Sequence, residues 1–373
     1  MSHKLLFVLP DLAAGGAHFM NVHLARQLQQ RGWTVQLAVL FDRPEAVSSS
    51  LLNGLAVTRL RARGAAGKLA ALVRLAGMAK SAGLVIGGME FAATNYGYLA
   101  ARRAGRPFLS WTHTTFDQHQ MSASALDRRA SHWVYRRCTD VVFPSAGARD
   151  ALRLALGAQP AKARWHVLEN FVPPAPAAAV PPAAPIYAKP VVVGVGRLVE
   201  LKAFDRLIRA HAALRGQGIA HHLLLLGDGP LRGALLAQAQ ALGVADSVFL
   251  PGHVSNVADW LGHATVFALC SRYEGLPLVL IEALAAGVPA VAMDCPSGPR
   301  EILQDGRVGR LVPAQDESAF TQAIGELLRD PDQRAQFSAL GKCRAEDYTA
   351  ERIVPRWEAL LEDIISRVGS RHD

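Results

Sequence analysis

Two cations and two carboxylates carry the chemistry that this sequence offers most plainly. Arg197 and Lys202 stand five residues apart in GVGRLVELKAFDRLI, where the chain leaves a short β-branched run, passes Gly196 and enters a helix-like stretch. Cations at a strand end can clamp a diphosphate and neutralise the charge that develops as it departs. The plainer alternative is a solvated loop. Further on, SRYEGLPLVLIEALAAGVP sets Glu274 and Glu282 eight residues apart. Along a helix that separation is about 12 Å, enough for two carboxylates to hold both ends of an extended nucleotide sugar. The segment Gly275-Leu276-Pro277-Leu278 between them would turn backbone N–H groups toward phosphates at a helix start. An ionised Glu282 buried among Leu280, Ile281, Ala283 and Leu284 needs a partner, and a ligand hydroxyl is one.

Near the N-terminus, Gly15 and Gly16 follow the run LLFVLP, where close backbone approach and a helix N-terminus would receive an anion. Glycines also serve ordinary tight turns. Neither Gly194-Val195-Gly196 nor Gly227-Asp228-Gly229 completes G-x-G-x-x-G, so the dinucleotide fingerprint is absent. No metal is expected. The single D-x-D string, Asp330-Pro331-Asp332, reads as the cap of a new helix. Cys138, Cys270, Cys295 and Cys343 are too scattered for a zinc site or a disulfide framework and point to a reducing cytoplasm.

The elements that must position these groups form two series. Short apolar runs alternate with amphipathic stretches, the pattern of a parallel sheet wound with helices. LLFVLP, TVQLAVL, GLVIGG, PFLSWTH and DVVFPS make the first series. PVVVGVG, LLLLGDG, SVFLPG, TVFALC, PAVAMD and GRLVP make the second. Between them lies VPPAPAAAVPPAAPIYAKP, whose prolines favour an extended spacer. The expected organisation is therefore α/β: a first domain over 1–171, a linker over 172–189 and a second domain over 190–349. A final helix within 350–373 is expected to pack back on the first domain. Two such sheets put their C-terminal edges on opposite walls of a cleft, suiting a donor on one wall and an acceptor on the other.

A length of 373 residues fits two domains, and half the residues are hydrophobic, so a disordered chain is excluded. No uncharged apolar run is long enough to span a bilayer, and Leu5–Leu9, closed by Pro10 and Asp11, is too short for a signal peptide. The net charge of +9 is lopsided: residues 1–170 hold 21 Lys and Arg against 9 Asp and Glu. Between Glu45 and Glu90 there is no acid, while Arg59, Arg61, Arg63, Lys68, Arg74 and Lys80 surround a helical stretch over 67–80. An anionic membrane surface is the expected partner, a solvated face the plain alternative. A basic nucleic-acid binder is a third reading, but no nucleic-acid module or interleaved aromatic platform supports it, and no nucleic-acid partner is expected.

Residues 190–313 resemble the donor domain of a large retaining glycosyltransferase family of two-domain GT-B fold (family 4), which works on bacterial polysaccharides, lipopolysaccharides and lipid-linked oligosaccharides. The E-x7-E pattern at Glu274 and Glu282, the basic pair Arg197 and Lys202, and the stretch CPSGPREILQDGRVGRLVP carry the likeness. The resemblance implies that Glu282 binds ribose hydroxyls, Glu274 the transferred sugar, Arg197 and Lys202 the diphosphate, and backbone near Gly252, His253 and Val254 the base. His113, closing FLSWTH, is similar to the family's histidine that contacts the donor sugar. The resemblance further implies a metal-independent hexosyl or N-acetylhexosaminyl transfer with no cofactor beyond a nucleotide diphosphate sugar, UDP being preferred. The acceptor would be lipid-linked or a cell-surface glycan, met by a cytoplasmic enzyme peripheral on the inner face of the membrane. A nucleotide-sugar epimerase of the same fold is the alternative enzyme.

Overall fold

In a computed structural model of the chain, the structure describes residues 3–13, 15–45, 47, 49–116, 124–172, 184–254 and 256–369. The chain divides into two compact units, Met1–Phe171 with Ala350–Asp373, and Val172–Thr349.

The first unit is built on a seven-stranded parallel sheet. Its strands are β1 (Lys4–Leu9), β2 (Thr34–Val39), β3 (Ala56–Arg59), β4 (Leu84–Gly87), β5 (Phe108–Trp111), β6 (Asp140–Phe143) and β7 (Arg164–Val167). The order is β3-β2-β1-β4-β5-β6-β7, so the winding reverses between β1 and β4. β1 and β4 to β6 are covered on both faces, which is why they read as unbroken apolar runs. β3 and β7 lie at the two sheet edges with mostly part-exposed residues, AVTR and RWHV, and escape a reading based on apolar runs. Right-handed crossovers place the helix Gly16–Gln30 on one face of the sheet. Gly64–Ala79, Ala92–Ala104, Ala125–Tyr135 and Ala146–Leu156 lie on the other. The helix Ala350–Gly369 packs on this unit: Glu358 accepts from the Trp33 indole at 3.1 Å and pairs with Arg31 at 3.1 Å. Its Trp357 ring lies 4.6 Å from that of Trp111.

The second unit carries a six-stranded parallel sheet of β8 (Val191–Val195), β9 (His222–Leu226), β10 (Val248–Gly252), β11 (Val266–Leu269), β12 (Ala290–Asp294) and β13 (Arg310–Pro313). Its order is β10-β9-β8-β11-β12-β13, with the reversal between β8 and β11. All six strands coincide with the apolar runs of the second series. Leu223 to Leu226 are fully buried, each side chain contributing about 1.5–3 kcal/mol by leaving water, and fill the two core layers alternately. The described ends of the proline-rich stretch belong to this unit's body. Val172 N–H donates to Tyr348 O at 2.9 Å, and the short turn Ala184–Ala188 buries Ile186 and donates from Tyr187 Oη to Trp260 O. The spacer expected over 172–189 is thus narrower, and its residues 173–183 lie outside the described ones. No helix among the described residues is long and apolar enough to cross a membrane.

Candidate functional site

In the second unit the sequence-derived residues collect at the C-terminal edge of the sheet, beside the reversal between β8 and β11. β8 runs into Gly196, whose N–H donates to Leu226 O at 2.9 Å. The loop after β9 lies directly against it. A Cβ on Gly227, itself at φ +138°, would sit 2.0 Å from Gly196 O, and one on Gly229 would sit 2.5 Å from Leu198 O. These glycines are therefore demanded by loop-on-loop packing, a role that the search for a dinucleotide fingerprint does not detect. Arg197 stands exposed on this loop, and its guanidinium has no hydrogen-bond or ion-pair partner among the described residues.

Lys202 does have one. Its Nζ lies 2.6 Å from Glu274 Oε1, joining two of the expected site residues in an ion pair that is largely shielded from water. Several contacts hold this geometry. Arg272 N–H donates to Leu201 O at 2.9 Å, and the Cys270 thiol donates to Lys202 O and Ala203 O. Ala203 sits in the left-handed region at φ +51°, a conformation that costs an alanine about 1–2 kcal/mol. On the far side Ser297 Oγ donates to Gly275 O at 2.9 Å, and Gly298, at φ +94°, has Pro277 where its Cβ would be.

The separation of Glu274 and Glu282 is not helical throughout. The helix is only Leu278–Ala285, because Pro277 occupies its N-cap with extended backbone; Glu274 precedes it in the clamped loop. The 12 Å span expected for a continuous helix does not apply. No side chain caps this helix and Leu280 N–H already donates to Pro277 O at 3.0 Å, so the N–H groups of Leu278 and Val279 are those left for a ligand. The Glu282 carboxyl, within the helix, has no hydrogen-bond or ion-pair partner among the described residues, and burial pushes its pKa up from the usual range. On the neighbouring loop Gly252 O accepts from Gly227 N–H at 2.9 Å, His253 is exposed and Val254 packs on the core.

In the first unit the C-terminal sheet edge is organised differently. Asp11 is buried, accepts from Ala13 N–H at 3.0 Å and pairs with His18 at 2.9 Å and Arg43 at 3.3 Å. It thereby shapes the loop that delivers Gly15, the N-cap of Gly16–Gln30; Ala14 lies outside the described residues. His113 is buried with Nε2 3.0 Å from Gly88 O and 3.1 Å from Asn21 Nδ2, and its ring centroid is 4.4 Å from that of Trp111. Gly88 O also accepts from Asn21 Nδ2 at 2.6 Å. Glu90, which the sequence reading left unused, accepts the N–H groups of His113 at 2.6 Å and Thr114 at 2.9 Å through one oxygen. The following Phe91 is strained at φ +53°. The available signal was a lone acid after GLVIGG in a cation-rich half.

Asp330 caps the helix Pro331–Ala345 by accepting from Gln333 N–H at 2.9 Å, so the D-x-D string serves as a helix cap. Among the described residues no three His, Cys, Asp or Glu side chains gather as a metal cluster.

Comparison with known proteins completes this description. A family model described as "Glycosyl transferases group 1" matches residues 189–330, and one described as "Glycosyltransferase Family 4" matches 14–175. A GDP-mannose-dependent alpha-(1-6)-phosphatidylinositol monomannoside mannosyltransferase of Mycolicibacterium smegmatis is 33% identical over 268 residues, 67% of this chain and 68% of that protein. An amylovoran biosynthesis glycosyltransferase of Erwinia amylovora is 34% identical over 170 residues, 46% of this chain and 47% of that protein. Several curated relatives are matched over half their length or less, down to 21%. Among solved structures, Anabaena Alr3699/HepE in complex with UDP and glucose superposes with a TM-score of 0.82 at 19% identity, covering 96% of this chain and 99% of that one. The two doubly wound sheets are thus those of the GT-B fold.

Proposed function

This chain belongs to the glycosyltransferases of group 1 and family 4, and from that membership we propose that it transfers a hexose or N-acetylhexosamine from a UDP-sugar to a lipid-linked or cell-surface glycan, retaining the anomeric configuration and using no metal ion. Its relatives are bacterial glycosyltransferases of exopolysaccharide, lipopolysaccharide and lipid-linked glycan synthesis. The observation that carries the reading is the charge arrangement of the second unit: an unpaired Arg197, a Lys202 held by Glu274, and a Glu282 with no partner, at one sheet edge.

In this reading Glu282 accepts two ribose hydroxyls, which supplies the partner its burial calls for. Arg197 and Lys202 bind the diphosphate, with the uncapped helix start at Leu278 adding N–H donors. Glu274 both orients Lys202 and accepts from a hydroxyl of the transferred sugar, while the loop around His253 and Val254 receives the base. As the anomeric C–O bond to the diphosphate breaks, the two cations take up the charge that develops on the leaving oxygen, the task a metal would otherwise perform. The acceptor hydroxyl attacks on that same face and yields its proton to the departing diphosphate. His113, its Nε2 held between Gly88 O and Asn21 Nδ2, supplies the ring on the sugar side. UDP is preferred on the likeness of the CPSGP stretch to UDP-N-acetylhexosamine-using relatives, and several structures of similar fold hold UDP; the mycobacterial relative is named for GDP-mannose.

Radiolabelled UDP-sugars incubated with the full chain and a polyprenyl diphosphate-linked glycan test the reading. The expected result is label in the lipid extract, undiminished by EDTA, with the donor's anomeric configuration in the product. Inversion, loss of activity with EDTA, or preferred turnover of a GDP-sugar would each overturn the corresponding part.

A further inference from the structure

The first unit has a second charged edge. Its C-terminal sheet edge carries Asp11, Glu90 and His113. At the opposite edge, where β5, β6 and β7 begin with Phe108, Asp140 and Arg164, lies a cavity of about 410 Å³. Five guanidinium groups line it, those of Arg102, Arg106, Arg137, Arg164 and Arg367, against the single carboxylate of Asp140. They come from separate parts of the chain: the ends of the helices Ala92–Ala104 and Ala125–Tyr135, the start of β7 and the end of the helix Ala350–Gly369.

The carboxylate is already satisfied. Asp140 is buried, its side chain 6% exposed, and its Oδ1 lies 3.0 Å from Arg367 Nη1 and 3.2 Å from His166 Nε2. Asp363, outside the lining, also pairs with Arg367. Arg102, Arg106, Arg137 and Arg164 are in no ion pair among the described residues. Two of these four are anchored by carbonyls at helix ends. Arg106 Nη2 donates to Lys80 O at 2.6 Å, and Arg137 Nη1 donates to Trp133 O at 3.2 Å while its guanidinium carbon lies 4.5 Å from the centre of the Trp133 ring. Helix C-termini favour cations, which accounts for the presence of these two. Each such bond nevertheless uses one N–H of a guanidinium fork and holds the remainder in place.

We propose that this cavity binds a small polyphosphate, a molecule with two or more linked phosphate groups, at a site separate from the donor loops of the second unit. Planar guanidinium forks take phosphate oxygens in pairs, and four forks without a carboxylate partner outnumber what one phosphate can engage. The volume falls within the range of about 300–1,000 Å³ common to small-molecule sites. Because Arg367 lies on the wall, the ligand would also tie the end of the helix Ala350–Gly369 to the starts of β5, β6 and β7. Binding should therefore raise the melting temperature. The inference does not depend on the transfer chemistry.

Calorimetric titration of pyrophosphate, tripolyphosphate and glycerol phosphate into the full chain tests it, with UDP in excess to occupy the donor loops and divalent cations absent. Pyrophosphate and tripolyphosphate should bind saturably, tripolyphosphate the more tightly, and glycerol phosphate at least about tenfold more weakly than pyrophosphate. Arg102→Gln with Arg164→Gln should weaken pyrophosphate binding about 100-fold, about tenfold for each charge-assisted contact. Arg102→Lys with Arg164→Lys, which keeps the charge and loses the fork, should fall between. Arg59→Gln with Arg63→Gln removes as much charge from side chains paired with Glu45 and Asp42 and should change the affinity less than about threefold. All four arginines are exposed, and an unchanged melting temperature without ligand confirms that each variant folds. Absence of pyrophosphate binding beside UDP would overturn the proposal. So would equal losses in the two glutamine variants, which would reveal general charge attraction, or glycerol phosphate bound as tightly as pyrophosphate. Failure of the donor-site reading would show differently, as absent UDP binding with the effect of Arg102 and Arg164 intact.

Discussion

The two sheet edges solve different problems with similar means. Both place a strained non-glycine residue directly after a charged candidate, Ala203 after Lys202 and Phe91 after Glu90. The second unit uses its charges outwardly: among the described residues the Arg197 and Glu282 side chains have no protein partner, and Lys202 is steadied by the Glu274 carboxylate. The first unit turns its charge inward. Glu90 and Asp11 are buried and accept from backbone N–H groups, and His113 is held through Gly88. One edge therefore leaves charged groups for the proposed donor, while the other fixes the backbone around the His113 ring. Substitutions should separate the two.

The largest effect belongs to the outward charges. Arg197→Ala and Lys202→Ala should each reduce kcat/KM for transfer by about 2–4 kcal/mol, the scale of one preorganised charge contact in a site shielded from water. Lys202→Ala should also lower the melting temperature, because it leaves Glu274 shielded and unpaired. Arg197→Ala should not, its side chain being exposed and unpartnered. Equal destabilisation by the two would contradict the asymmetry between them.

An intermediate effect is expected at the inward edge. Glu90→Ala removes the acceptor for two N–H groups and should cost about 1–3 kcal/mol of stability. It should lower kcat while leaving nucleotide affinity unchanged, and Glu90→Gln, which keeps an acceptor oxygen, should recover part of both losses. A fall in UDP affinity with Glu90→Ala would break the division between the edges.

Why one edge was readable in the sequence and the other was not follows from how their residues act. Arg197 with Lys202 and Glu274 with Glu282 stand at short fixed spacings in two stretches, and such spacing is what a sequence displays; the pairing of Lys202 with Glu274 across 72 positions is not. Glu90 acts on His113 and Thr114 across 23 and 24 positions, a relation created only when β4 and β5 pair. The same reason hid the ion pairs of Arg59 with Glu45 and of Arg63 with Asp42, 14 and 21 positions apart, so the span without acids in sequence is not without them in space. Strands buried on both faces announced themselves as apolar runs, and all six of the second sheet were legible; the edge strands β3 and β7 were not, being half polar.

A smaller effect distinguishes the second unit by its response to acid. His221 Nδ1–H donates to Ile219 O at 2.9 Å, which leaves Nε2 to accept from His211 Nδ1–H at 2.8 Å; His211 Nε2 lies 3.0 Å from Ser247 Oγ. Both rings are buried and neutral, and burial pushes the His211 pKa down to about 3 and lowers that of His221. The folded state thus binds fewer protons than the unfolded chain between about pH 3 and the ordinary histidine value of 6.5. Stability should be level above pH 6.5 and fall as pH drops below it, by up to about 1.4 kcal/mol per pH unit for each ring. Urea unfolding at pH 7.5 and pH 5.5 measures this slope, and His211→Gln should reduce it. A protein more stable at the lower pH would contradict the arrangement.

The most direct test of the account is a calorimetric titration of UDP into the wild-type chain, Arg197→Ala and Glu282→Ala. The account predicts saturable binding to the wild type, losses of about 1–3 kcal/mol in each variant from removal of a charge-assisted contact, and no dependence on added magnesium. Wild-type binding that neither variant weakens would place the nucleotide elsewhere and contradict the assignment of the donor site to the loops after β8 and β11.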